Sequence, residues 1–190
     1  REIAPLDALR LASFNVVSVV TTTGYGLTDY SAWGAVANIA FLFLMFVGSC
    51  SGSTSGGIKI FRFQIAGVIM REQLKQQFHP NGVFKERYNN RIIRDDIVRS
   101  LVTFILLFVI VIVGLSITLV LTGLDPMTSF TGAITAVTNV GPGLGDTIGP
   151  AGNFAPLPDV AKWALSVGML LGRLEILTVA VLFHPSFWKY

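Results

Sequence analysis

Cysteine and histidine are scarce in this chain of 190 residues, which has one cysteine, Cys50, and two histidines, His79 and His184. A single cysteine excludes an internal disulfide framework and a metal site built from cysteines alone. The histidines are far apart in the sequence, and neither is accompanied by further metal ligands. With no general base, nucleophile or metal constellation, the sequence does not indicate an enzyme.

Charge is also scarce. Charged residues make up 13% of the chain, against roughly 25% in an average soluble domain. Nine of the fourteen Lys and Arg residues lie between Lys59 and Arg99, which is typical of a cytoplasmic loop of a membrane protein rather than of a nucleic-acid-binding face. Because the chain has no N-terminal Met and opens inside an amphipathic stretch, we expect it to be a fragment of a longer protein. Its start shows no signal-peptide pattern.

Uncharged segments predict the membrane helices. Residues 33–47 and 100–124 have the composition of transmembrane spans, and a third span is predicted from Asp159 to Phe183, followed by an aromatic interfacial anchor at 185–190. Two further helices, at 5–20 and from Pro126 to 137, are too short to cross a hydrocarbon core of about 30 Å. We therefore expect both to be re-entrant pore helices.

A glycine-containing loop follows each short helix. The first is VVTTTGYG (19–26), and the related VTNVGPGL (137–144) repeats it at an offset of 117, which aligns Val20 with Val137. Successive backbone carbonyls in such a run can replace the water around a potassium ion, as in potassium-channel filters, which the first loop closely resembles. The alternative is an ordinary glycine turn, but two such loops in equivalent positions favour a filter.

The predicted span at 33–47 is interrupted by GSCSGSTSGG (48–57), which cannot continue a stable helix. We predict a broken helix that resumes at Ile58 and extends to Arg71. Residues 52–59 superficially resemble a phosphate-binding loop, but Ile58 separates the glycine from Lys59 and no hydroxyl residue follows. The loop is either a packing kink or a mobile gate beneath the filter, and the logic of broken membrane helices favours the gate.

A charge near the middle of the last predicted span is unusual. Arg173 lies fourteen residues into that span, and Glu175 points to a different side of the helix. In the structural interpretation, the Arg173 side chain only hydrogen-bonds a backbone carbonyl. Its functional interpretation is that Arg173 holds the glycine-rich loop or places a positive barrier under the filter.

Aspartates are expected at the outer side. These aspartates are Asp29, Asp125, Asp146 and Asp159. One interpretation is that they concentrate cations at the pore mouth, and the simpler one is that they are solvated surface groups and helix caps.

Together these segments predict an all-α integral membrane protein with repeated helix–pore helix–filter–helix units. MFVG (45–48) also aligns with MLLG (169–172), at an offset of 124. The predicted division is an incomplete pore unit at 1–78, a basic connection at 79–96 and a complete unit at 97–190. Residues 71–99 and the C-terminus are expected to be cytoplasmic.

Four ordered motifs resemble the Trk/Ktr/HKT superfamily of potassium transporters, and look closest to its TrkH-type membrane subunits. They are residues 21–26, 52–59, 139–145 and 172–175, and the ending at 185–188 also fits. The resemblance implies that this chain is the third (incomplete) and fourth of four pore units. It also implies potassium uptake across the bacterial inner membrane, with K⁺ as the transported ion, no bound cofactor and no nucleic-acid partner.

The resemblance further implies the roles of individual residues and the partners. The residues implied to bind potassium are Thr22, Thr23, Gly24, Tyr25, Asn139, Val140, Gly141 and Pro142. Those implied to form the gate are Gly48, Gly52, Ser53, Thr54, Gly56, Gly57 and Arg173. The implied partners are the lipid bilayer, the first two pore units, a cytoplasmic nucleotide-binding regulatory subunit and a second copy of the full-length protein.

Two other functions remain open at this stage. One is a membrane transporter of another substrate, in which the re-entrant loops serve packing only. The other, a membrane-bound nucleotide-using enzyme, depends on the imperfect phosphate-loop pattern alone.

Overall fold

The computed structural model describes residues 4–48, 52–53, 55–79, 82, 87–89, 91–174, 181 and 187–188. Six α-helices account for most of this part of the chain: α1 (Pro5–Val20), α2 (Ala35–Phe46), α3 (Ile60–Phe78), α4 (Asp95–Leu121), α5 (Pro126–Thr138) and α6 (Asp159–Arg173). A 3₁₀ turn (Tyr30–Trp33) precedes α2. Several predicted features lie outside the described residues: Thr54, Cys50, Glu175, His184, the end of the last span and most of the terminal anchor.

Helix α4 is the one helix in the described ranges that is long and apolar enough to cross a membrane. Its 27 residues rise by about 1.5 Å each, giving about 40 Å, so α4 exceeds a core of about 30 Å. It begins at Asp95 rather than at the predicted residue 100 and ends at Leu121. The acidic first turn, Asp95 and Asp96, suits the positive end of the helix dipole, which explains the earlier start.

The predicted break after the span at 33–47 is present, but its far edge differs from the prediction. α2 ends at Phe46, and the strands β1 (Val47–Gly48) and β2 (Ile58–Lys59) pair in parallel. The helix therefore resumes at Ile60, not at Ile58, and runs to Phe78 rather than stopping at Arg71. Pairing the two ends of the interruption satisfies backbone groups that broken helix ends would leave without partners.

The basic connection folds back onto the helices instead of forming a bare loop. Its strands β3 (Arg87–Tyr88) and β4 (Arg91–Ile92) make an antiparallel hairpin. The Tyr88 hydroxyl donates to Oε1 of Gln64 at 2.6 Å, and its ring packs edge-on against Phe61. The all-α prediction is thus correct for the large elements. The described residues also contain two short two-stranded sheets, β1–β2 and β3–β4.

Helix α5 lies at the centre of the core. Ten of its thirteen residues are buried, because α4 packs on one side and α6 on the other. Most of those ten are small, which lets neighbouring helices approach closely. Helix α1 has the equivalent place in the first unit but only three buried residues, and it exposes apolar side chains such as Leu6 and Val17.

Candidate ion pathway

The first filter-like loop begins where α1 ends. Thr22 takes the left-handed conformation (φ 55°) and Gly24 has φ 79°. The Thr22 N–H donates to the Val19 carbonyl at 3.1 Å, and the Thr23 N–H donates to the Ser18 carbonyl at 2.9 Å. The helix thus closes with a tight turn that leads the chain directly into the loop.

The second loop repeats this backbone geometry at the offset of 117. Asn139, the counterpart of Thr22, has φ 57°, and Gly141, the counterpart of Gly24, has φ 112°. The Asn139 N–H donates to the Ala136 carbonyl at 3.2 Å and the Val140 N–H to the Thr135 carbonyl at 3.2 Å. Each bond has its equivalent in the first loop, so the sequence repeat is a structural repeat.

A side-chain bond repeats as well. In the last turn of α1, the Thr21 hydroxyl donates to the Val17 carbonyl at 2.7 Å. In α5 the Thr138 hydroxyl donates to the Ile134 carbonyl at 2.8 Å. Both pairs are related by the same offset. The shared pattern indicates that α1 and α5 end in the same way.

The two loops contact one another at their glycines. A Cβ on Gly24 would collide with the Val140 carbonyl oxygen and lie 3.4 Å from Pro142 Cδ. A Cβ on Gly141 would lie 3.6 Å from the Gly24 Cα. Two independent features therefore require a glycine at position 24: its positive φ and the close approach of the second loop. The two loops together form a surface of adjacent backbone groups.

The second loop is held by hydroxyl groups of α5, the helix that precedes it. The Gly141 N–H donates to Thr135 Oγ1 at 3.0 Å, and the Leu144 N–H donates to Thr131 Oγ1 at 3.3 Å. Sequence reasoning missed both threonines, although polar residues four apart in an otherwise apolar short helix are a usable signal. These bonds orient the loop backbone.

The first loop is held differently. The fully buried Asn15 accepts from the Leu27 N–H at 3.2 Å and donates to the Thr28 hydroxyl at 2.9 Å. Ser18 aligns with Thr135, yet within the described ranges its buried hydroxyl has no hydrogen-bond partner. Tyr25 is 72% exposed, whereas Val140 is 2% exposed. The first loop is thus the more open of the two.

The Gly/Ser-rich loop lies directly against the end of α5. A Cβ on Gly56 would collide with the Thr138 carbonyl oxygen and lie 2.7 Å from its carbon, with Asn139 Cβ at 3.1 Å. Gly48, at the other end of the interruption, is close to the Gly56 carbonyl, where a Cβ would lie 2.5 Å from the oxygen. The loop therefore contacts the segment from which the second filter-like loop starts.

Arg173 and the same loop line one small cavity of about 40 Å³. Ser53, Ser55 and Gly57 border it from the loop, and Lys59 from β2. The Lys59 ammonium donates to the Ser53 carbonyl at 3.3 Å. Predicted gate residues from the two units are thus brought together, while Gly52 lies at a separate, larger cavity next to α4.

Helix α6 approaches both α5 and α4 through glycines. A Cβ on Gly172 would collide with the Val137 carbonyl, and one on Gly168 would lie 2.5 Å from Leu115 Cδ1. The Asn139 amide donates to the Met169 carbonyl at 3.1 Å. Two glycines four residues apart are a known signal for close packing of membrane helices, so this contact was readable from the sequence.

Two of the predicted outer aspartates cap helical segments. Asp29 accepts from the Ser31 N–H at 2.9 Å, and Asp125 from the Thr128 N–H at 2.9 Å. Hydrogen bonds from Thr128, through its hydroxyl and its backbone, lower the pKa of the Asp125 carboxyl. In the described part of the chain, no three His, Cys, Asp or Glu residues are grouped so as to hold a metal ion. The oxygens near the glycines of the two loops are backbone carbonyls and threonine hydroxyls.

The family model described as "TrkH: Cation transport protein" matches residues 2–190. The Trk system potassium uptake protein TrkI of Halomonas elongata is 63% identical over 182 residues, which are 96% of this chain and 37% of that protein. The TrkH protein of Escherichia coli is 34% identical, over 97% of this chain and 38% of that protein. This chain thus spans less than two fifths of the length of these relatives.

The crystal structure of the potassium transporter TrkH from Vibrio parahaemolyticus matches with a TM-score of 0.89 and 34% identity, covering 98% of this chain and 39% of that one. These relatives are transport proteins of a membrane, not enzymes, which removes the nucleotide-using enzyme as an interpretation. The match over nearly the whole chain agrees with the mostly helical fold. The chain therefore belongs to the TrkH family of cation transport proteins.

Proposed function

We propose that this chain supplies two of the four filter segments of a potassium uptake protein in the bacterial inner membrane. The observation that carries the proposal is the contact of Gly24 with Val140, between two loops of matching backbone geometry. The proposed K⁺-binding groups are the backbone carbonyls of 22–25 and 139–142, because such carbonyls can replace the hydration shell of the ion.

The other two segments come from pore units elsewhere in the longer parent protein. The open first loop and the exposed apolar face of α1 support this, since both present surfaces that a complete ring of four units would cover. We assign residues 1–78 to the third unit, 79–96 to a cytoplasmic connection and 97–190 to the fourth unit. The basic connection and the C-terminus then face the cytoplasm, in keeping with the distribution of Lys and Arg.

The Gly/Ser-rich loop is the proposed gate. Its contact at Gly56 with the end of α5, and its shared cavity with Arg173, support a position directly under the filter. Gly48, Gly52, Ser53, Thr54, Gly56 and Gly57 are the proposed gate residues of this loop. The folded basic hairpin offers a surface for a cytoplasmic nucleotide-binding regulatory subunit, and a second copy of the full-length protein completes the proposed assembly.

The test is potassium uptake by a transport-deficient cell that carries the full-length parent. Gly24→Ser and Gly141→Ser should each lower K⁺ affinity or allow Na⁺ to compete, because both glycines have a positive φ and contact the other loop. Gly114→Ser is the matched control, since Gly114 lies within α4 and a Cβ there meets nothing within 4 Å. If both filter variants keep wild-type uptake and selectivity, the two loops serve packing only and are not segments of the filter.

A further inference from the structure

The central glycine of each filter-like loop is held in a different way. In the second loop, the Gly141 N–H donates to the Thr135 hydroxyl oxygen at 3.0 Å. The counterpart of Thr135 at the offset of 117 is Ser18, whose buried hydroxyl has no hydrogen-bond partner among the described residues. The Gly24 N–H approaches the Ser18 backbone carbonyl instead, at the longer distance of 3.4 Å. The repeat of the two loops therefore does not extend to this side-chain bond.

The bond from Gly141 also determines where a carbonyl points. The Gly141 N–H and the Val140 carbonyl belong to one planar peptide group, and in a trans peptide the two point in opposite directions. Because the N–H is directed at Thr135, the Val140 carbonyl is directed away from the Thr135 side chain. Its oxygen lies where a Cβ on Gly24 would collide with it. A hydroxyl of α5 thus fixes the direction of a carbonyl at the contact between the two loops.

Thr135 is well placed to hold this peptide group still. Its side chain is 2% exposed, and β-branching leaves a threonine few rotamers in a helix. One turn earlier on α5, the Thr131 hydroxyl accepts from the Leu144 N–H at 3.3 Å. That N–H shares its peptide group with the Gly143 carbonyl, which lies outside the proposed K⁺-binding segment 139–142. Of the two bonds, only the one to Thr135 acts on a proposed K⁺ ligand.

We propose that Thr135 is a positioning residue for ion selectivity, because its hydroxyl fixes the direction of the Val140 carbonyl. The proposal rests on the proposed function, in which carbonyls of 139–142 replace the hydration shell of K⁺. A peptide group that turns away from the ion weakens K⁺ coordination, and one that is free to move can close around the smaller Na⁺. The first loop lacks the equivalent bond at Ser18, so the second loop carries more of the discrimination between the two ions.

The test is competition by Na⁺ against K⁺ uptake in a transport-deficient cell that carries the full-length parent, with uptake scaled to the amount of folded protein. Thr135→Val keeps the side-chain shape and removes the acceptor. It should lower the preference for K⁺ over Na⁺ about fivefold, which corresponds to the roughly 1 kcal/mol of one hydrogen bond. Thr135→Ser keeps the hydroxyl and should keep the wild-type preference. A merely structural role would lower the uptake of both ions alike and leave their ratio unchanged.

Two comparison variants are matched to Thr135→Val. Ser18→Ala removes a buried hydroxyl at the equivalent position of the first loop, where that hydroxyl has no described partner, and should keep the wild-type preference. Thr131→Val removes the acceptor of the Leu144 N–H and should destabilise the protein as Thr135→Val does, but lower the preference less. If Thr135→Val does not reach the membrane, Thr135→Cys replaces it, and its thiol, a weaker acceptor, should give a smaller loss of preference.

Several results would overturn the proposal: a wild-type preference in folded Thr135→Val or Thr135→Cys, or a loss in Thr135→Ser, Ser18→Ala or Thr131→Val as large as in Thr135→Val. Failure here is distinguishable from failure of the proposed function. Altered selectivity in Gly24→Ser and Gly141→Ser with none in Thr135→Val would refute the role of Thr135 and leave the filter in place. Unchanged selectivity in the glycine variants would refute the filter itself.

Discussion

Gly56→Ala is the sharpest perturbation of the proposed gate, because Gly56 is where the Gly/Ser-rich loop contacts the end of α5. An added Cβ would lie 2.7 Å from the Thr138 carbonyl carbon, and ordinary van der Waals contact needs roughly 3.5 Å or more. Both sides of the contact are backbone, so neither can give way by changing a rotamer. Overpacking of this kind costs about 1–3 kcal/mol.

That cost applies only while the loop is seated under α5. When the loop moves away from α5 to open the path, the added Cβ no longer collides with Thr138. The equilibrium between the closed and open states therefore shifts toward the open state by the free energy of that collision. A shift of about 1–3 kcal/mol corresponds to roughly a 5–150-fold change in the ratio of open to closed states. We therefore expect Gly56→Ala to raise potassium flux, not merely to destabilise the protein.

The assay is potassium-dependent flux into liposomes that contain the purified full-length parent, measured without any regulatory protein. Gly67→Ala is the matched control: Gly67 lies in α3, and a Cβ there meets nothing within 4 Å. The control should keep wild-type flux with equal or slightly greater stability, since alanine suits a helix interior better than glycine. Wild-type or lower flux in a folded Gly56→Ala protein would refute the reasoning.

Two further predictions concern hydrogen bonds at the pore helices. Thr135→Val should lower the free energy of unfolding by about 1–3 kcal/mol, because the Gly141 N–H loses its acceptor. Ser18→Ala at the equivalent position should have little effect, because the Ser18 hydroxyl has no described hydrogen-bond partner. Thermal unfolding of the full-length parent in detergent compares the two variants, and equal losses would contradict a special role for the Thr135 hydroxyl. Asp125→Ala should cost about 0.5–2 kcal/mol through loss of the N-cap of α5, while Asp125→Asn, which also caps, should be nearly neutral. Hydrogen bonds from Thr128 lower the folded-state pKa of Asp125. The stability that the Asp125 carboxylate contributes is therefore present above the ordinary carboxyl pKa and is lost as the pH falls through the lowered pKa. Melting curves measured against pH should show this loss in the wild type and not in Asp125→Asn.

Local signals in the sequence predicted several elements closely. The predicted first pore helix, residues 5–20, has the bounds of α1, and Asp125 with Pro126 marks the start of α5 as expected. The break after Phe46 followed from glycine and serine composition alone. These features depend on neighbouring residues, whose capping groups and backbone preferences are readable without knowledge of the rest of the fold.

Element ends that depend on distant partners were predicted less well. The resumption of the helix at Ile60 reflects the pairing of β2 with β1, and the hairpin docks through Tyr88 near the start of α3. Neither pairing has a strong local signature. In such segments, the position of a helix end depends on which backbone N–H and C=O groups form hydrogen bonds with distant residues.

The sequence by itself determined the membrane class, the repeat of two loops at an offset of 117 and the family. Only the tertiary structure decided that Gly24 meets Val140, that Gly56 lies under Thr138 and that Arg173 shares a cavity with Ser53. Composition and spacing decide what each segment can form, because those preferences are local. Which loops touch depends on how the first unit packs on the second, as α2 does on α5, and that packing brings Gly24 to Val140, 116 positions away.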